Sequence, residues 1–287
     1  MSADVRLHRR PRSAQGLEWV ARAGADLRHL SFGLLRLGQG QAQEVALAGE
    51  EAVLVLVEGS LGVQGRVAGA PEGFAFDPVG PRAGVFRQRA SAVYLPPGTE
   101  AVIRAHAPLL AAWITSPTGP AGQPGAATPA AGRAPRPVWI RPEEVRVAVR
   151  GKPGYQREVH DLVDERVPAL RLLVGETFNR PGEWSSYPPH KHDTAIPGVE
   201  TPLEEVYFFR VDPPQGFGVQ MLYSPSREID QAYRVLDGDV TLLPFGYHPV
   251  AAAPGYRIYY LWALAGAERH LSVQDDPDHA WVTARPG

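Results

Sequence analysis

Short runs of valine, leucine and aromatic residues, each broken within a few positions by glycine or proline, recur along this 287-residue chain, and long helical patterns are scarce. That pattern predicts an all-β protein of sandwiches or barrels. The runs fall into two groups. Between them, residues 116–137 are dominated by Pro, Gly, Ala and Thr with little apolar periodicity, the composition of an exposed linker. The expected organisation is therefore a first unit over residues 1–115, a linker over 116–137 and a second unit over 138–287. The two units also repeat each other. Glu50-Glu51-Ala52-Val53-Leu54-Val55-Leu56 matches Glu204-Glu205-Val206-Tyr207-Phe208-Phe209 by eye, and Leu95-Pro96-Pro97-Gly98-Thr99-Glu100 matches Leu243-Pro244-Phe245-Gly246-Tyr247-His248. An ancient duplication accounts for both matches.

Chemistry is concentrated in the second unit. On a strand, residues two apart face the same way, so His190 and His192 would enter one cavity while Lys191 points away. Taken alone, such a pair is as readily a surface hydrogen-bonding pair. Glu205, opening the strand-like run Glu205-Val206-Tyr207-Phe208-Phe209, and His248, just beyond a Pro-x-Gly turn, change the balance: three imidazoles and a carboxylate form a divalent-metal cage with positions left for substrate oxygens. Zinc or manganese comes first for such a set, with iron or nickel next. The stretch Asp193 to Glu204, with Pro197, Gly198 and Pro202, reads as a loop. It leaves the carboxylate ligand open between Glu204 and Glu205. In the first unit nothing like His-x-His precedes Glu51, and Glu100 stands at the place of the last histidine, so that unit is expected to be metal-free.

The arrangement resembles the two signature motifs of the cupin superfamily, small β-barrels of the jelly-roll type, with longer spacing between His192 and Glu205 than usual. More specifically, Trp184-Ser185-Ser186-Tyr187-Pro188-Pro189-His190-Lys191-His192-Asp193, Leu203-Glu204-Glu205, Tyr247-His248-Pro249-Val250, Pro254-Gly255-Tyr256 and Asp275-Asp276-Pro277 are similar to the 5-deoxy-glucuronate isomerase family of bacterial inositol catabolism. The likeness is strongest over residues 151–282. It implies a bicupin in which His190, His192, Glu205 and His248 hold one metal ion, Glu205 being favoured because it directly precedes the Val-Tyr-Phe-Phe strand as the family's ligand does. It further implies conversion of 5-deoxy-D-glucuronate to 5-dehydro-2-deoxy-D-gluconate.

An aldose-to-ketose shift needs a Lewis acid for the developing oxygen charge and a group that moves a proton. Glu183, Asp193, Tyr207, Tyr223 and Tyr247 are candidates from their nearness to the ligands. Tyr207 has the same strand parity as Glu205, although a core aromatic reads identically. For the substrate carboxylate an arginine fork is suited, and Arg180 is the first candidate, ahead of Arg227, Arg234 and Arg257. Two other functions fit the same cage, a cupin dioxygenase and a non-catalytic sugar-binding cupin.

Composition narrows the remaining classes. A net charge of −2 gives no footprint for nucleic acid. Without a single cysteine there is no disulfide, thiolate ligand or thiol nucleophile. The basic start, Arg6 to Arg12, lacks a following apolar core and is expected to be a solvated arm. No apolar run approaches the ~18 residues of a membrane span. The expectation is a soluble cytoplasmic protein, with exposed sheet edges compatible with a homo-oligomer.

Overall fold

The computed structural model describes residues 7–119 and 134–284. Most of the expected linker therefore lies outside the described residues. Both halves are β-structure, and among the described residues the α-helix is a single turn, Trp281–Ala284. No helix among them is long and apolar enough to cross a membrane.

The first half is built on a nine-stranded sheet whose spine is the long strand Glu50–Val67, flanked by Ala92–Leu95 and Leu109–Pro117. The second half is built on a seven-stranded sheet centred on Leu203–Asp212, between Val240–Leu243 and Arg257–Gly266. A four-stranded sheet including Gly218–Tyr223 and Val250–Ala252 completes the second barrel.

Alternation along Glu50–Val67 explains why its apolar run is unbroken. Ala52, Leu54 and Leu56 fill the interior of the first barrel. Val53, Val55 and Val57 point the other way, into a core shared with Val206 and Phe208 of the second half. Phe32 and Phe208 meet in that shared layer with ring centroids 6.1 Å apart. A strand buried on both faces loses the polar half of the alternating pattern.

Polar groups seal the same layer. Arg82 and Glu176, both fully buried, pair across it at 2.7 Å. The carboxylate of Glu51 accepts the backbone N–H groups of Leu170, Arg171 and Leu172 at 2.6–2.8 Å. In return, Glu204 accepts those of Arg28 and His29 at 2.8 and 2.7 Å. The reciprocity corrects the repeat by one residue. Ala52 pairs with Leu95 as Glu205 pairs with Leu243, so Glu51 corresponds to Glu204, and Ala52 stands where the second half has Glu205.

Strand pairing also crosses the expected division at residues 116–137. Val138–Ile140 joins the sheet of the first half beside Ala92–Leu95, and His8–Arg9 joins the sheet of the second half beside Val240–Leu243. Leu109–Pro117 runs two residues into the expected linker. The described part of the basic start is thus docked and not a solvated arm. Asp239, almost wholly buried, holds His8 at 2.7 Å and Arg10 at 3.2 Å. The unpaired edge of Val240–Leu243 supplies the backbone partners that a solvated arm would have left to water.

Candidate metal centre

Four pieces of chain converge in the second barrel. The short strand His190–Lys191 pairs with Gln274–Asp275, and His192 follows it directly. Glu205 lies on the central strand Leu203–Asp212, between Leu243 and Leu264. His248 follows the Pro244-Phe245-Gly246 turn, which is fixed by the paired backbone bonds of Tyr223 and Tyr247 at 3.0 and 2.9 Å. Gly246 has a φ of 82°, and a Cβ there would come within 2.6 Å of the Tyr223 carbonyl oxygen. Only glycine lets this turn close.

The histidine orientations are set from behind. His192 donates its Nδ1–H to the Leu203 carbonyl at 2.9 Å, and His248 donates its own to the Gly246 carbonyl at 2.8 Å. Each Nε2 is thereby turned inward, and each lies 3.3 Å from the same oxygen, Oε2 of Glu205. The ligand atoms of His192, Glu205 and His248 all fall within 4.8 Å of one another. The ring of His190 is 5.1 Å from that of His248 and 6.4 Å from that of His192, beside this group of three but not within it.

This arrangement fits a cation. Burial opposes charge on His192, yet its bond to Glu205 outweighs burial and raises it above the ordinary imidazole range. Burial would raise Glu205, but the bond from His192 and the close imidazole of His248 reverse this and hold it at about 2. Burial, with the flanking imidazoles, pushes His190 down to about 3. One proton can bridge Glu205 to a single imidazole, while the buried Nε2 of His248 has no hydrogen-bond partner. A divalent ion serves every inward lone pair at once.

A cavity of about 380 Å³ opens from Glu205 and His190. Tyr207 lines it, as its parity predicts, and its hydroxyl is 3.1 Å from Ser186 Oγ. Burial, reinforced by Glu205, raises the Tyr207 phenol well above its ordinary value, so it is a hydrogen-bond donor and not a base. Tyr260 and Trp262 also line it. Gly175 makes room for Trp262, because a Cβ at that position would meet the indole at 2.2 Å.

Other candidates lie elsewhere. Glu183 accepts the Gln156 N–H at 2.9 Å and does not line this cavity. Tyr247 packs on the Tyr223 ring at 5.2 Å, and Tyr223 donates to Asp276 at 2.8 Å. Arg180 is exposed in a second cavity of about 390 Å³ between the two halves, which Arg157 also lines. Arg227 stacks 4.0 Å over Tyr223, Arg257 pairs with Asp212, and Arg234 lies exposed on Asp230–Val235.

Lys191 does turn away from the cage, and it has a use there. Its ammonium binds Asp193 at 2.8 Å, Thr194 at 3.0 Å and both oxygens of Glu200 at 2.9 Å. Glu200 also accepts the N–H groups of Asp193 and Thr194, and Asp193 accepts the Gly246 N–H at 2.6 Å. The long insert is therefore a loop closed by one cation and tied to the turn that carries His248.

Three charged residues of the cavity lie outside every motif: Arg150, Arg157 and Asp161. Burial raises Asp161 while Arg150 opposes the rise, which makes it a stronger base than an ordinary carboxylate. The only signal in the sequence is parity. Arg157, Val159 and Asp161 share one face of Arg157–Val163.

The comparisons with known proteins agree with this architecture. The model of the KduI/IolB family matches residues 6–282. A 5-deoxy-glucuronate isomerase of Geobacillus thermodenitrificans is 36% identical over 265 residues, 92% of this chain and 89% of that protein. The crystal structure of an IolB-like protein from Salmonella typhimurium superposes with a TM-score of 0.85 at 35% identity, covering 96% of this chain and 99% of that one. Oxalate decarboxylase of Lactobacillus farciminis, at 13% identity and a TM-score of 0.65 over 98% and 90% of the two chains, shares the fold of two cupin barrels. With its family model spanning nearly the whole sequence, and with such relatives over nine-tenths of its length, the chain belongs to the KduI/IolB family and is an isomerase.

Proposed function

We propose that this protein converts 5-deoxy-D-glucuronate to 5-dehydro-2-deoxy-D-gluconate, a step of inositol catabolism, at one divalent ion held by His190, His192, Glu205 and His248. The observation that carries the reading is the convergence of two inward Nε2 atoms on one carboxylate oxygen, at a cavity that Arg150 and Arg157 also line. The relatives named for this activity support the choice of substrate. When bound, the ion supplies Lewis acidity toward the C1 and C2 oxygens. This donor set accepts zinc, manganese, iron or nickel, with zinc or manganese our first choice.

The chain's own residues account for the remaining needs. Asp161 takes the proton from C2 and returns it to C1, while a second proton passes from the C2 hydroxyl to the C1 oxygen. The C2–H electron pair becomes the C1=C2 bond of an enediol and then the new C1–H bond, so the shift needs no external oxidant. Tyr207, protonated across the working pH range, donates a hydrogen bond to a substrate oxygen.

Proton NMR of the metal-analysed protein with 5-deoxy-D-glucuronate in heavy water, under anaerobic conditions, tests the reading. The ketose with deuterium at C1 is expected. An unchanged spectrum from fully metallated protein would overturn the substrate assignment, and turnover that requires oxygen would replace isomerisation with oxygenation.

A further inference from the structure

A uronate presents a fixed negative charge at the end of the molecule remote from its aldehyde. The metal-facing cavity offers two cations to receive it, Arg150 and Arg157. They are direct cross-strand partners on Arg146–Arg150 and Arg157–Val163, which sets both side chains on one face. Like charges directly opposite each other on a sheet repel, so the arrangement costs stability unless an anion sits with them. Asp161, which lines the same cavity, carries one negative charge against their two positive ones.

Neither arginine has an ion-pair partner among the described residues. Arg166, Arg210 and Arg257 of the same half each pair with an aspartate. Arg157 instead makes two long contacts through Nη1, to the Tyr155 carbonyl at 3.5 Å and the Tyr187 carbonyl at 3.4 Å. The second of these holds the guanidinium beside the segment leading to His190, three residues on. Its remaining donors, Nε–H and the two on Nη2, make no hydrogen bond among the described residues. A guanidinium half-buried at the wall of a cavity and oriented by backbone carbonyls matches a planar carboxylate.

From this geometry we infer that Arg157, seconded by Arg150, is the carboxylate-binding subsite that selects a sugar acid over a neutral sugar. The inference rests on the isomerase reading for the choice of acid, and its role is recognition. Arg180, which does not line the metal-facing cavity, takes no part.

The test is calorimetric binding of 5-deoxy-D-glucuronate, and of 5-deoxy-D-glucose as its uncharged counterpart, to metal-loaded protein, with turnover measured separately. The parent should prefer the acid, and Arg157→Gln should weaken binding of the acid by roughly 10- to 100-fold, the worth of a charged hydrogen-bond pair. Binding of the neutral sugar and metal content should stay at the parent values. Arg157→Lys should lose less, and Arg150→Gln should lose less than Arg157→Gln. In kinetics the change should fall on KM and leave kcat nearly unaltered.

Unchanged affinity for the acid in Arg157→Gln, or an equal loss for both sugars, would overturn the subsite. So would a parent that binds acid and neutral sugar alike, a result that needs no variant to fold. Binding of the acid through Arg157 without turnover would leave the subsite standing and refute the isomerase assignment. Turnover indifferent to Arg157 would do the reverse.

Discussion

Replacing Lys191 by methionine keeps the length of the side chain and removes the one cation that closes the insert. In the parent, its ammonium meets Asp193, Thr194 and Glu200 at 2.8–3.0 Å, with the Lys191 side chain 8% exposed and that of Glu200 fully buried. Removing one partner from a buried pair costs about 3–5 kcal/mol, because the remaining charge is left uncompensated. Glu200 retains the backbone N–H groups of Asp193 and Thr194, which places the loss near the lower figure. With an unfolding entropy of roughly 2.1 cal/mol/K per residue, a chain of this length has about 0.6 kcal/mol/K, so ~3 kcal/mol lowers Tm by about 5 °C. Asp193 also loses its anchor while holding the N–H of Gly246, two residues before His248. Disturbing such support behind a ligand lowers metal affinity by roughly 10- to 100-fold. Circular dichroism melts of metal-stripped protein, followed by zinc titration against a chelator, read both quantities. Glu200→Gln and the double variant complete a cycle in which the two losses should not add. A Lys191→Met protein that melts within about 1 °C of the parent, with undiminished zinc affinity, would refute the argument, since both figures derive from the burial of this pair.

Three further outcomes are expected. Glu205→Gln should lose metal and activity together, whereas Glu204→Gln should keep its metal and melt lower, by about 1–3 kcal/mol of weakened contact to the first half; metal analysis and thermal melts of the two variants decide this, and the opposite pattern would reassign the ligand. Gly175→Ala should force Trp262 into the cavity, costing about 1–3 kcal/mol from overpacking and most of the substrate affinity, read by indole fluorescence and KM. The Tm gap between the parent and Lys191→Met should depend on pH. Burial raises Asp193, but its bonds to Lys191 and Gly246 lower it overall, so its contribution is present above its unfolded value of about 3.8 and fades as pH falls through its folded value. Burial lowers Lys191, but Asp193 and Glu200 raise it overall, so its contribution persists to beyond its ordinary 10.5 and fades as pH rises through its folded value. The gap should therefore be widest between about pH 4 and 10, and a gap unchanged at pH 2 would contradict the assignment.

Strand parity carried much of the site without coordinates. It put Tyr207 on the face of Glu205 and turned Lys191 away from the histidines, because side chains alternate strictly whatever the tertiary fold. It could not say what Lys191 does on its own side, since Glu200 becomes its partner only when the insert folds back. The doubled glutamates show a different limit. Glu50-Glu51 and Glu204-Glu205 match letter for letter, yet the ladders set Glu51 against Glu204, and strand register is fixed by partners distant in the chain.

The chain's own pattern determined the β-class, the two-fold repeat and the four candidate ligands, because these depend on residue type and local spacing. Tertiary structure decided the exchange of edge strands between the halves, the function of Glu51 and Glu204 as ties across the shared core, and the cationic wall of Arg150 and Arg157. Those arise where strands far apart in sequence become neighbours through hydrogen bonding. An arginine pair or a buried carboxylate acquires its meaning from the groups it then faces.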